Sequence, residues 1–346
     1  MPGEIFIKKK SYSVNRDAAV NKLQNRKAVF LDTNVWIDIA EERSALSKRL
    51  KSTLLGLVNR GEVFCPLSDS LLWELYKQNF PSRLRVGELM EALSLNVTFA
   101  SKEEIFFWEI EAFVRKTLQE GTACVSPNKL YVPVVAYLSS RYELAYPKGW
   151  TEDEIATFER LFAEKMASLS LVELLNMRGD EFMDELKGID TAKYLAASQE
   201  RWKFTGGNKK KICRLEEETI ARQYILPLLR KLPLRFRLPF LVSLGDFAKD
   251  EYGGCLKTML SALPALKNQA EIMAIAGQDP RRRTRASDFY DLDMMAVPLA
   301  YTAVFVSQDK WIRDLLNNRG AILRRNTCQY LSSLLDFERW LKAVKR

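Results

Sequence analysis

The 346 residues contain no histidine. That absence removes the serine or cysteine triad that needs an imidazole base, the H-E-x-x-H zinc site, and the imidazole pair of general acid/base ribonuclease chemistry. A hydrolase made from this chain would work with carboxylates and a hard metal ion, Mg²⁺ or Mn²⁺, because its remaining abundant ligands are oxygens. Cysteine is scarce and unpaired: Cys65, Cys124, Cys213, Cys255 and Cys328 form no C-x-x-C pair and no even-numbered framework. They read as reduced, mostly buried thiols of a cytoplasmic protein. Long apolar runs are missing too. The longest, around Leu130 to Leu138, is far too short to span a bilayer, and the basic start at Lys8-Lys9-Lys10 has no apolar core of a signal peptide, so no membrane partner is expected.

What is present is core and positive charge. Hydrophobic residues make up 47% of the chain, which places it among globular proteins, and its length exceeds one typical domain. The net charge of +9 favours an anionic partner, nucleic acid first, with a merely basic surface as the plain alternative.

Pattern divides the chain into a leader (1–26), a first α/β part (27–100), a helical block (101–279) and a second α/β part (280–346). In the first part, Val29 to Leu31 reads as a buried strand and Glu41 to Asn59 as a helix. Val63 to Pro66 reads as a strand and Ser70 to Gln78 as a helix capped by Ser68 or Asp69, the order of parallel βαβ units. The block shows helical spacing over Glu103 to Glu120, Thr151 to Met177, Glu181 to Arg201, Leu215 to Lys231 and Cys255 to Ala276, with hardly a strand. It is interrupted by a flexible loop at Gly206 to Lys211 and a basic turn at Pro280 to Arg285. Then come a helix from Ser287 or Asp288 that Pro298 closes, a strand at Ala303 to Val306, a helix at Lys310 to Asn317, a last strand at Ala321 to Leu323, and a helix at Tyr330 to Val344.

Two acids stand just past apolar strand runs: Asp32 after Val29-Phe30-Leu31, and Asp309 after Val304-Phe305-Val306. In an open α/β sheet, ligands bind outside the carboxyl ends of the strands. Glu74 in mid-helix and Asp291, with Asp288 and Asp293 a helical turn or less away, complete a candidate set of catalytic, metal-ligating carboxylates. Converging carboxylates repel one another, so such a set persists when one or two divalent cations neutralise it. Thr33, Asn34 and Ser307 lie beside the acids and are placed to hold them. Arg281, Arg282, Arg283 and Arg285 lead directly into the helix of Asp291, where they would meet substrate phosphates. Lys209 to Lys211 follow Trp202 and Phe204, and basic side chains near aromatics suit a single strand. Each has a plain reading as well. Asp32 and Asp288 could cap helices, Glu74 could be a surface acid, Asp38 suits the first turns of its helix, Met294 and Met295 suit core packing, and a charge run is often a solvated face.

These residues resemble the PIN-domain nucleases. Leu31-Asp-Thr-Asn-Val-Trp-Ile-Asp38 is similar to that family's opening motif, Leu72-Trp-Glu74-Leu75 to its second, and Asp288-Phe-Tyr-Asp291-Leu-Asp-Met-Met with Val304-Phe-Val-Ser-Gln-Asp309 to its third and fourth. The resemblance covers about 27–100 and 280–346 and favours Asp291 over Asp288, leaving Asp293 open. It implies a Rossmann-like parallel sheet, Mg²⁺ or Mn²⁺ held by Asp32, Glu74, Asp291 and Asp309, and hydrolysis of single-stranded RNA. A haloacid-dehalogenase phosphatase also starts with a strand and Asp, but needs a second Asp two residues on, where this chain has Asn34.

The expectation is therefore an α/β, PIN-like core interrupted by an all-helical insertion. Its activity would be a metal-dependent endoribonuclease whose activated water attacks phosphorus to leave a 5′-phosphate and a 3′-hydroxyl. DNA as the target is one alternative. Another is a catalytically inactive module that binds nucleic acid or protein. A homo-oligomer is left open, and a protein inhibitor of the kind found in toxin–antitoxin pairs or phage defence enters by analogy only.

Overall fold

The computed structural model describes residues 5–7, 21–23, 25–121, 124–134, 145–147, 149–177, 200, 202–243, 255–276, 286–318 and 321–344. The run Lys27–Leu31 forms strand β2 of the eight among the described residues, and its four apolar residues are all buried. Continuous apolar runs of this kind belong in parallel sheets covered on both faces. β2 lies between β3 (Val63–Phe64) and β7 (Val304–Val306), and β7 pairs in turn with β8 (Gln329–Leu331). Every neighbouring pair in this four-stranded sheet is parallel. Leu31 stands opposite Val306, and Val306 opposite Leu331, so three strands end in register at one edge.

Helices cover the sheet. The helix Leu334–Val344 packs on Ala45–Asn59, where Arg49 Nε donates to Glu338 Oε1 at 2.9 Å. Inside, the Phe30 and Phe305 rings of adjacent strands lie 5.7 Å apart. A second, antiparallel pair, β4 (Val97–Phe99) and β5 (Tyr131–Pro133), continues the sheet's neighbourhood through a bridge between Leu67 and Thr98. β1 (Ile5–Ile7) pairs antiparallel with β6 (Ala145–Pro147). The stretch expected to lack strands thus holds two short ones, and part of the expected leader pairs with one of them.

The helical block is continuous with the sheet. Pro264–Ala276 packs against both Lys209–Ile220 and Ala286–Tyr301, and one apolar cluster runs from Phe30 through Leu266 to Phe240. The helix from Lys209 widens into a π turn at Ala221–Ile225 before Leu226–Lys231. Pro227 lacks an N–H and its ring crowds the preceding turn, which accounts for the wider register.

Several expected elements move. Ala321–Arg325 is a helix, so the last strand is β8 and the last helix begins at Leu334. Pro298 sits inside Ala286–Tyr301; the Thr302 N–H and hydroxyl both donate to its carbonyl, which carries the helix end one turn beyond it. Lys209 to Lys211 form the first turn of a helix rather than a loop, since Asn208 Oδ1 accepts from the N–H groups of Lys210 and Lys211. The expected helix at Glu181 to Arg201 lies almost wholly outside the described residues.

Candidate functional site

β2 ends at Leu31, and Asp32 follows as the cap of the helix Thr33–Ala40, its Oδ1 accepting the Thr33 N–H at 2.7 Å. Its backbone N–H donates to the Val306 carbonyl at 2.9 Å, so the turn is tied to the end of β7. Ser307, the first residue past β7, is wholly buried and donates its hydroxyl to Asp32 Oδ2 at 2.7 Å. The same Ser307 Oγ accepts the Asp309 N–H at 3.1 Å. Asp309 Oδ1 then accepts from Trp311 N–H at 2.6 Å and Ile312 N–H at 3.0 Å, opening the helix Lys310–Asn318. The two acids are thus both strand-end residues and both helix caps. Each cap uses one carboxylate oxygen, and at Asp32 the other accepts from Ser307.

The electrostatics at Asp32 are those of a dry carboxyl with other acids close by. Asp32 is 3% exposed. Burial pushes its carboxyl up to about 6, against the Ser307 and Thr33 hydrogen bonds, and the Asp309 and Glu74 charges push it further. No basic side chain among the described residues pairs with Asp32 or Asp309.

Glu74 lies on the helix Asp69–Tyr76, half-buried, and its carboxylate is held by Lys77. That helix packs against Ala286–Tyr301, which carries Asp291, also half-buried and with a partner of its own. Thr33 is buried and acts through its backbone N–H, whereas Asn34 is exposed. Asp38 pairs with Arg43 at 3.2 Å, a structural role. Met294 and Met295 are core residues. The side chains of Asp288 and Asp293, and all of Arg281, Arg282, Arg283 and Arg285, lie outside the described residues.

Sequence reasoning missed Tyr330. On β8, its hydroxyl donates to the Ser307 carbonyl at 3.2 Å. Burial holds this phenol above its ordinary range, and the Asp32 and Asp309 charges add to that. Its signal in the sequence is faint, since β8 is an edge strand of mixed exposure.

The donor set is carboxylate oxygen, which suits a hard divalent cation and not a soft one. Among the described residues, no three of His, Cys, Asp and Glu gather into a group that could hold an ion. The described donors are a coupled pair, Asp32 and Asp309, with Glu74 near enough for its charge to be felt. No protein-family model, curated protein or solved structure matches this chain.

Proposed function

We propose that the edge where β2 and β7 end is the centre of a Mg²⁺- or Mn²⁺-dependent nuclease acting on single-stranded nucleic acid, RNA first. One observation carries this reading: Asp32 and Asp309, neither paired with a base among the described residues, are tied at the ends of adjacent parallel strands by a buried serine that donates to the Asp32 carboxylate and accepts the Asp309 backbone N–H. Burying Asp32 beside the Asp309 charge without a counter-cation is costly, and a fold that needed only helix caps would be served as well by serine or asparagine. Asp32 and Asp309 would hold the ion, with Glu74 and Asp291 as further donors. When bound, the ion would lower the pKa of a water and neutralise charge on the phosphodiester. Ser307 would keep the Asp32 carboxylate ionised and aimed, and Tyr330 would fix the Ser307 backbone. The basic net charge of +9 supports an anionic polymer as substrate. The Rossmann-like, PIN-type core with residues 101–279 as an insertion belongs to the same proposal.

The test is incubation of the protein with labelled single-stranded RNA and DNA, with Mn²⁺ and with chelator, alongside Asp32→Asn. Metal-dependent cleavage lost in the variant is expected; undiminished cleavage by Asp32→Asn sinks the assignment. The pairing of Glu74 with Lys77, and the lack of a third gathered donor among the described residues, favour a second reading. In it the fold binds nucleic acid without cutting, and binding without metal-dependent cleavage would select it.

A further inference from the structure

Phe204 is 83% exposed, the most exposed of the chain's large apolar side chains among the described residues. It does not sit on a loose loop. Residues 202–205 form a helical turn that ends in Gly206 and Gly207, both with left-handed backbones at φ of 61° and 72°. The Gly206 N–H donates to the Lys203 carbonyl and the Gly207 N–H to the Trp202 carbonyl, each at 3.1 Å. A Cβ on Gly207 would meet the Trp202 ring at 3.0 Å, so only glycine lets that ring lie against the turn. Asn208 then caps the next helix. The turn is built to a fixed shape.

The turn and the start of the helix that follows it carry five exposed cations: Lys203, Lys209, Lys210, Lys211 and Arg214. None of them is paired with an acid among the described residues. The carboxylates that follow are otherwise engaged: Glu216 is buried, Glu217 is held by Lys267, and Glu218 by Arg222. Three lysines at the start of a helix oppose its macrodipole, and an aromatic ring left in water forgoes burial. Local rules broken together without a structural return mark a functional surface. Asn208 already occupies the N–H groups of Lys210 and Lys211, so an anion here would be met by side-chain ammonium groups rather than by backbone.

We propose that this turn is a docking surface for single-stranded nucleic acid, on the helical block rather than at the strand ends. Phe204 stacks on a base, and Lys203, Lys209, Lys210, Lys211 and Arg214 meet the flanking phosphates. The occupant follows from the chemistry: every base has a π face for the ring, and a phosphate chain supplies regularly spaced charge for the cations. An acidic protein or a lipid surface would use the charges but would have no need of an aromatic ring over another apolar group.

The proposal stands without the nuclease reading, because it is tested with chelator present. Fluorescence anisotropy of labelled oligouridylate and oligothymidylate on the full-length protein is the measurement. Phe204→Ala and Phe204→Leu are each expected to weaken binding by about five-fold or more, while Phe204→Trp retains it. Replacing Lys209, Lys210 and Lys211 together by Ala should lower the slope of log affinity against log salt by about 2. Native affinity in Phe204→Ala and in the lysine variant overturns the proposal. So does full binding by Phe204→Leu, or binding to phosphatidylserine vesicles that depends on these residues when oligonucleotide binding does not. Cleavage with Mn²⁺ is read separately, so loss of one reading leaves the other standing.

Discussion

Ser307 donates to Asp32 Oδ2 at 2.7 Å across 275 residues of sequence, and both groups are buried. The hydroxyl holds the Asp32 carboxyl below the level that burial and the neighbouring acids would otherwise set. Ser307→Ala removes that donor and also the acceptor for the Asp309 N–H. Affinity for Mn²⁺, measured by titration calorimetry, should fall roughly 10- to 100-fold, as for other partners that orient a ligand. Unchanged affinity would show that the bridge has no part in holding an ion.

Asp32→Asn separates charge from shape. With a carboxyl raised from 3.8 to about 6, the folded protein keeps a proton that the unfolded chain releases, so this group's contribution to stability falls as pH rises through that window. Asparagine does not titrate. In metal-free buffer at about pH 8, the variant should be more stable than the parent, by up to ~3 kcal/mol, with the difference vanishing below about pH 4. Mn²⁺ should raise the melting temperature of the parent and not of the variant. A variant less stable than the parent at both pH values would contradict the buried-charge account.

Glu109 joins the helical block to the helix of Asp291. Its carboxylate accepts from Ala265 N–H at 2.7 Å, Leu266 N–H at 3.1 Å and the Tyr301 hydroxyl at 2.6 Å. Burial nevertheless pushes it from 4.5 up to about 7. Its stabilising contribution is full below 4.5 and is lost as pH rises towards 7, a swing of about 3 kcal/mol at most. Urea midpoints across this range should fall with pH in the parent and flatten in Glu109→Gln. A parallel fall in both would rule Glu109 out as the source.

Trp36, one helical turn on from Asp32, is fully buried, and its indole N–H has no hydrogen-bond partner among the described residues. Trp36→Ala should cost about 3–5 kcal/mol in urea denaturation. Trp36→Phe should cost much less, because it keeps an aromatic filling and removes an unsatisfied donor. Equal losses would mean that volume alone matters at this position.

The paired strand ends were legible because β2 and β7 are central, buried strands, and a continuous apolar run followed by an acid survives translation into one dimension. β8 was not. As an edge strand, Gln329–Leu331 is only part-buried, while Ala321-Ile-Leu carries a strand-like apolar run made of residues that also favour a helix. The lysine run misled in the opposite direction: charge reads as loop, and the Asn208 cap that starts the helix lies hidden between two glycines and three lysines. Glu109 carried no signal either. A lone acid in an amphipathic helix gives no hint that the start of another helix, 156 residues on, will settle on it.

The register of Leu31 with Val306 has a consequence for synthesis. A growing chain displays Asp32 long before Ser307, which follows 275 residues later, and such distant pairings form late and slowly. Incomplete chains that stop short of β7 therefore lack the bridged acids altogether. A nascent chain engaged with its own messenger would hold no assembled pair of acids beside that RNA until β7 had emerged and paired with β2.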